Sequence, residues 1–225
     1  MVDERLTEQV ILLHGIGKSS KIMRKMHDHL LIHGYKPHNI NYPSTKKPVE
    51  ELAEYIYQRV KQLIRANDCK LHFIGHSMGA IILRFMLQKY PLKNLGRVVM
   101  LAPPNKGSEV VDFFLKFAFF RKWFGPAAQQ LTTSNNKLLE QLTEPKYEVG
   151  IIAGDYSVDK LYSWLLLDKP NDGKVTVEST KLNGSKDHIV LHASHPFIPK
   201  NKSVMQQTTY FIANGCFERP ERRLG

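Results

Sequence analysis

Cysteine is scarce in this chain: Cys69 and Cys216 are the two in 225 residues. That count excludes a disulfide framework and points to a reducing compartment. Long apolar runs are missing as well, and no stretch approaches the roughly 18–20 apolar residues of a membrane-spanning helix. The chain begins Met1-Val2-Asp3-Glu4-Arg5, and a strand pattern starts by Gln9. No signal peptide fits ahead of it, so the expected location is cytoplasmic. There is no internal repeat, linker or low-complexity tract, and residues 1–225 read as a single domain large enough for a proper core. Negative charge is in short supply: 32 Lys and Arg against 21 Asp and Glu leave a net charge of +11. A basic balance can serve nucleic acid or anionic membrane. Here the cations are spread along the chain without a basic helix, and the densest group is the tail, Arg219 to Arg223. The pattern reads as a basic surface with no specific nucleic-acid partner. Transient contact with an anionic membrane surface remains a second reading. Oligomeric state is not legible.

What the chain does have is one dense motif. The apolar run Leu71-His72-Phe73-Ile74 ends in Gly75-His76-Ser77-Met78-Gly79, and a helical pattern begins at once with Ala80-Ile81-Ile82-Leu83. Strand, sharp turn with a serine at its tip, and helix have the form of the nucleophile elbow of serine hydrolases. Glycines suit such a turn because backbones crowd around a strained serine, where side chains would clash. The hydroxyl is then held at a helix N-terminus, where free amides favour the negative charge formed in acyl transfer.

The rest of the pattern alternates. Gln9-Val10-Ile11-Leu12-Leu13 reads as a buried parallel strand. Gly17-Lys18-Ser19 after it invites a phosphate-binding loop, but that motif needs a glycine at position 12, where Leu12 stands inside the strand. Ser19 or Ser20 caps a helix that Gly34 stops, and residues 36–42 form the next strand. Residues 49–66 form a helix with Leu52, Ile56, Val60 and Leu63 at helical spacing. Residues 70–74 form the strand of the elbow and residues 77–90 its helix. Strands follow at 97–101, 148–153 and 187–192, with a short helix at 134–142. The apolar segment 161–167, with Trp164, is expected to pack beneath the active-site edge, and a helix striped by Val204, Thr208, Phe211 and Ile212 closes the chain at Gly215. This alternation predicts an α/β fold with a mostly parallel central sheet and helices on both faces. His27 and His29 do not share a helix face, so no metal site is expected there.

The least ordinary segment is 110–124, in which seven of fifteen residues are aromatic and Lys116, Arg121 and Lys122 interrupt. As one helix it places Phe113, Phe117, Phe120 and Phe124 on a shared face, with Phe114 beside it, and Pro126 ends it. A helix this apolar is either packed between layers or covers an apolar pocket. The functional reading makes residues 108–126 a lid or acyl-chain wall built from Phe113, Phe114, Phe117, Phe120, Trp123 and Phe124, with cations on its rim.

A serine hydroxyl needs a histidine to take its proton and a carboxylate to fix that histidine's tautomer. Candidate acids after Ser77 are Asp155, Asp159, Asp168, Asp172 and Asp187. Asp172 is favoured because Gly173 permits a tight turn that presents it, and Asp155, directly after a strand, is the runner-up. His188, His192 and His195 compete as base. His195 lies in a loop beyond the last strand and is favoured; His192 remains the alternative. No cysteine stands near these histidines, and no metal or organic cofactor is expected.

Five motifs in order, His14-Gly15, Gly75-His76-Ser77-Met78-Gly79, Ala102-Pro103-Pro104-Asn105-Lys106-Gly107-Ser108, Asn171-Asp172-Gly173-Lys174-Val175 and Ser194-His195-Pro196-Phe197, resemble the small bacterial-type lipases and carboxylesterases of the α/β-hydrolase fold. The resemblance spans residues 10 to about 217. It implies a compact α/β-hydrolase with Ser77, Asp172 and His195 as triad and the amides of Ile16 and Met78 as oxyanion hole. It also implies ester cleavage through an acyl-enzyme on a small-molecule ester or lipid substrate, with a lipid-like or medium-chain acyl group as first expectation. Acyl transfer or thioester hydrolysis on the same triad is the rival within enzymes, and a non-catalytic lipid-binding module the rival outside them. The chain departs from secreted relatives in lacking a signal peptide and a carboxylate cluster for calcium.

Overall fold

The computed structural model describes residues 8–64, 69–134, 136–158, 167 and 169–219. Strands β1 (Gln9–Leu13), β2 (Lys36–Ile40), β3 (Leu71–His76), β4 (Leu95–Leu101), β5 (Val149–Gly154) and β6 (Asp187–Leu191) form one sheet in the order β2-β1-β3-β4-β5-β6. Every pairing is parallel. Pro37, which has no N–H to give a ladder, sits in β2 at the sheet edge, where such a residue is tolerated.

Period-two alternation decides what each face meets. Ile11 and Leu13 of β1, Phe73 of β3, Met100 of β4 and Ile151 of β5 pack against helices α2 (Val49–Ile64) and α3 (Met78–Lys89). Val10 and Leu12, Ile74, Val99 and Leu101, and Ile152 point the other way, against α1 (Arg24–Ile32) and the C-terminal helix. Both faces are covered, which is why the strands read as continuous apolar runs. α3 is buried along nearly its whole length because it lies under the second layer against the central strands.

The chain leaves β1 toward β2 on one side and returns to β3 on the other. Loops after β1 and β3 therefore diverge at the carboxyl edge, where parallel sheets leave a crevice.

Several local expectations shift. The aromatic segment is two helices, α4 (Glu109–Leu115) and α5 (Ala118–Gln129), with Phe117 in extended conformation between them. The second is itself interrupted: Gly125, at φ 71° and ψ −170°, is non-helical, so the aromatic stretch stops just before Pro126, as expected, and a further helical stretch runs from Pro126 to Gln129. A Cβ at Gly125 would lie 1.8 Å from the Thr45 carbonyl oxygen, so the kink brings α5 onto the loop after β2. The short helix expected at 134–142 is α6 (Lys137–Gln141), and after the Asp172 turn the chain forms a short helix, α7 (Val177–Thr180). The C-terminal helix is α8 (Lys202–Asn214), closed by Gly215 in the left-handed region. Residues 161–166 with Trp164, and Asp159 and Asp168, lie outside the described residues.

Candidate active site

Ser77 stands between β3 and α3 at φ 54° and ψ −124°, a conformation that costs a non-glycine residue about 1–3 kcal/mol. The flanking glycines make the turn sterically feasible. A Cβ at Gly75 would come within 2.7 Å of the Ala80 backbone, and one at Gly79 within 2.7 Å of the His14 carbonyl oxygen. Ser77 occupies the N-cap position of α3, yet its side chain makes no capping hydrogen bond. Its Oγ lies instead 3.0 Å from His195 Nε2.

His195 sits in the loop after β6. Its Nδ1 is 2.7 Å from Asp172 Oδ2, and since a carboxylate only accepts, Nδ1 carries the proton and Nε2 is left to accept from Ser77. Asp172 is 1% exposed, and its other oxygen, Oδ1, accepts from the amides of Lys174 at 3.0 Å and Val175 at 2.9 Å. Each carboxylate oxygen therefore has a partner, and the His195 amide donates to the Asp172 carbonyl at 2.9 Å. The loop after β4 clamps this acid-bearing turn. Ser108 Oγ donates to the Lys174 carbonyl at 2.8 Å, and Asn105 Nδ2 to the Thr180 carbonyl at 2.7 Å, while buried Arg84 donates to Asn105 Oδ1 at 3.0 Å.

The runner-up pair meets elsewhere. His192 Nδ1 is 3.2 Å from Asp155 Oδ1, on side chains 76% and 41% exposed, and the pair does not reach Ser77. His188 bonds Thr180, and Asp187 is held by Arg219, which keeps its carboxyl below the usual range.

The turn after β1 is fastened from beneath. His14 Nδ1 donates to the Gly15 carbonyl at 2.8 Å, its ring stacks on Tyr42 at 4.1 Å, and the Tyr42 hydroxyl donates to the His14 carbonyl. The Gly17 amide is taken by Ser44 Oγ at 3.1 Å. No protein acceptor for the Ile16 or Met78 amide occurs among the described residues.

Sequence reasoning missed His76. Its Nε2–H donates to the His195 carbonyl at 3.1 Å and its ring lies 4.9 Å from that of His195. Burial pushes its pKa well down, so it stays neutral, and its buried Nδ1 has no partner among the described residues. As the variable position of the Ser motif it carried no signal beyond adjacency.

An open cleft of about 420 Å³ leads to Ser77 and His195. Of the six aromatic residues expected to wall it, Phe114, Trp123 and Phe124 line it; Phe113, Phe117 and Phe120 do not. The break at Phe117 turns the anticipated shared face away: Phe117 packs on Phe113 and Phe120, and Phe114 on Phe120.

The comparisons with known proteins agree with the fold. A family model described as the alpha/beta hydrolase fold matches residues 9–153, well over half of the chain. No protein of curated function matches by sequence. Among solved structures, a lipase of Bacillus licheniformis in mature form superposes with a TM-score of 0.78 at 18% identity, covering 94% of this chain and 93% of its own. A metagenomic carboxyl esterase does so with TM-score 0.71 at 16% identity over 84% of this chain and 65% of its own. A phospholipase of Legionella pneumophila gives 0.69 at 16% identity over 92% of this chain and 58% of its own. Parallel sheet, elbow and family match together place the chain in the α/β-hydrolase family.

Proposed function

We propose that this protein is a serine hydrolase that cleaves carboxylic esters through an acyl-enzyme. The observation that carries the reading is the unbroken hydrogen-bond chain Ser77–His195–Asp172, with the serine at the floor of an apolar cleft. Ser77 Oγ attacks the ester carbonyl as His195 Nε2 takes its proton. The oxyanion is held by the Ile16 and Met78 amides, and Asp172 stabilises the imidazolium. Collapse breaks the C–O bond, and His195 returns the proton to the departing alcohol. Water then repeats the sequence, releasing the acid and restoring Ser77.

Phe114, Trp123 and Phe124 favour an apolar acyl group of medium length or lipid origin. The outer side of α5 supports contact with an anionic membrane surface: Phe119 and Trp123 are 67% and 62% exposed, beside exposed Arg121 and Lys122. Among the described residues no helix is long and apolar enough to cross a membrane.

The test is hydrolysis of aryl esters of increasing chain length, with fluorophosphonate labelling of Ser77. Wild type should react and Ser77→Ala should not; full activity in Ser77→Ala would overturn the mechanism. Adding an alcohol distinguishes hydrolysis from acyl transfer by how the acyl-enzyme partitions.

A further inference from the structure

The turn that carries the Ile16 amide, residues 14–18, has little of its own to hold it. The backbone hydrogen bond that closes it, from the Lys18 N–H to the Gly15 carbonyl, is long at 3.3 Å. Gly17, next to Ile16, stands at φ 63° and has no side chain to pack. The turn is fixed from outside, by two elements.

One is the loop after β2. Ser44 Oγ accepts from the Gly17 amide at 3.1 Å, and the Tyr42 hydroxyl donates to the His14 carbonyl. The other is α5. A Cβ at Gly17 would lie 3.8 Å from Phe124 Cε1, at van der Waals distance. Chain neighbours aside, nothing else among the described residues comes within 4 Å of that point. The Phe124 ring is therefore the surface that Gly17 meets, and both residues line the cleft.

α5 is itself pinned to the loop after β2. A Cβ at Gly125 would lie 1.8 Å from the Thr45 carbonyl oxygen. The Gln130 side chain accepts from the Val49 amide at 2.8 Å and donates to the Glu50 carboxylate. Phe124, one residue before Gly125, is thus placed by backbone packing, and Phe120 stacks on its ring with centroids 6.0 Å apart.

Resting on the esterase reading above, we infer that Phe124 is a positioning residue for the oxyanion hole as well as a wall for the acyl chain. It holds Gly17 against Ser44, and the adjacent Ile16 amide keeps its aim. The oxyanion exists only in the transition state, so a turn that drifts costs kcat and spares KM. Loss of a wall alone has another signature: long acyl chains suffer in KM, and an acetyl group, which has no chain to lay on a wall, is spared.

The test is steady-state kinetics on two aryl esters, acetyl and decanoyl, with melting temperatures to show that each variant folds. Phe124→Ala should lower kcat on the acetyl ester by roughly tenfold with KM within about twofold of wild type. Phe124→Leu, which keeps apolar bulk beside Gly17, should recover most of that loss. Ser44→Ala should give a loss of the same kind, and the double variant should lose less than the product of the two, because both act on one turn. An acetyl kcat unmoved in Phe124→Ala, with damage confined to KM for the decanoyl ester, makes Phe124 a wall only and overturns the positioning role. Equal losses in Phe124→Ala and Phe124→Leu, or single-variant losses that multiply, overturn it too. If wild type hydrolyses neither ester and takes no fluorophosphonate, the esterase reading itself fails; turnover of both esters with the acetyl kcat intact in Phe124→Ala removes only the positioning role.

Discussion

Two histidine–aspartate pairs lie close together in this molecule, their histidines three residues apart. His195 and Asp172 meet at 2.7 Å, and His192 and Asp155 at 3.2 Å. The residue types are the same and both pairs stand at the carboxyl edge of the sheet. They differ in what surrounds them. Asp172 is buried, and amides fill the oxygen that His195 leaves. Asp155 and His192 lie exposed to water, where an ion pair contributes little. His195 has a second partner, Ser77, on its far nitrogen, whereas Tyr156 packs against the ring of His192. A carboxylate becomes useful to a base when the fold has fixed its position and removed its solvent; adjacency alone does neither.

The largest expected effect breaks the pairs apart directly. Asp172→Asn should lower kcat by about 10³–10⁴ because the asparagine amide can no longer favour the required tautomer. Asp155→Asn should stay within about twofold of wild type, as surface substitutions do. Steady-state kinetics on one aryl ester reads both.

A smaller effect concerns what holds the buried pair. His76→Ala removes the donor to the His195 carbonyl, and a misplaced imidazole should cost up to about 10²-fold in kcat with KM little changed. His76→Gln, which keeps a donor, should recover part of that loss, and His192→Ala should change neither constant. An equal loss in all three would remove the distinction.

The smallest effect is on stability. Burial holds the His76 and His14 imidazoles below their ordinary range. As pH falls through about 6.5, the unfolded chain therefore takes up protons that the folded chain refuses. Stability is fully present above that pH and is lost below it. The melting temperature should drop by roughly several degrees between about pH 7 and pH 5, and by less in His76→Gln. A flat profile would contradict the burial argument.

Much of the fold was legible because strands buried on both faces leave continuous apolar runs, such as Gln9–Leu13. The elbow was legible because its two glycines answer to backbone contacts under 3 Å. Less was legible where tertiary contact overrides local pattern. The aromatic segment has helical spacing throughout, yet its chain breaks at Phe117 and bends at Gly125 to meet Thr45. Sequence spacing could not show that Phe113, Phe117 and Phe120 turn from the cleft. Nor could it pair His192 with Asp155 or His76 with the carbonyl of His195, since those contacts join residues 37 and 119 apart.

The central claim is that burial and a second partner make the His195–Asp172 pair the one that activates Ser77. Its most direct test is the rate of fluorophosphonate attachment to Ser77, followed by intact mass, in Asp172→Asn and Asp155→Asn. Labelling should be slowed by about 10²-fold or more in Asp172→Asn and unchanged in Asp155→Asn. Wild-type labelling in Asp172→Asn, or slowed labelling in Asp155→Asn alone, would contradict it.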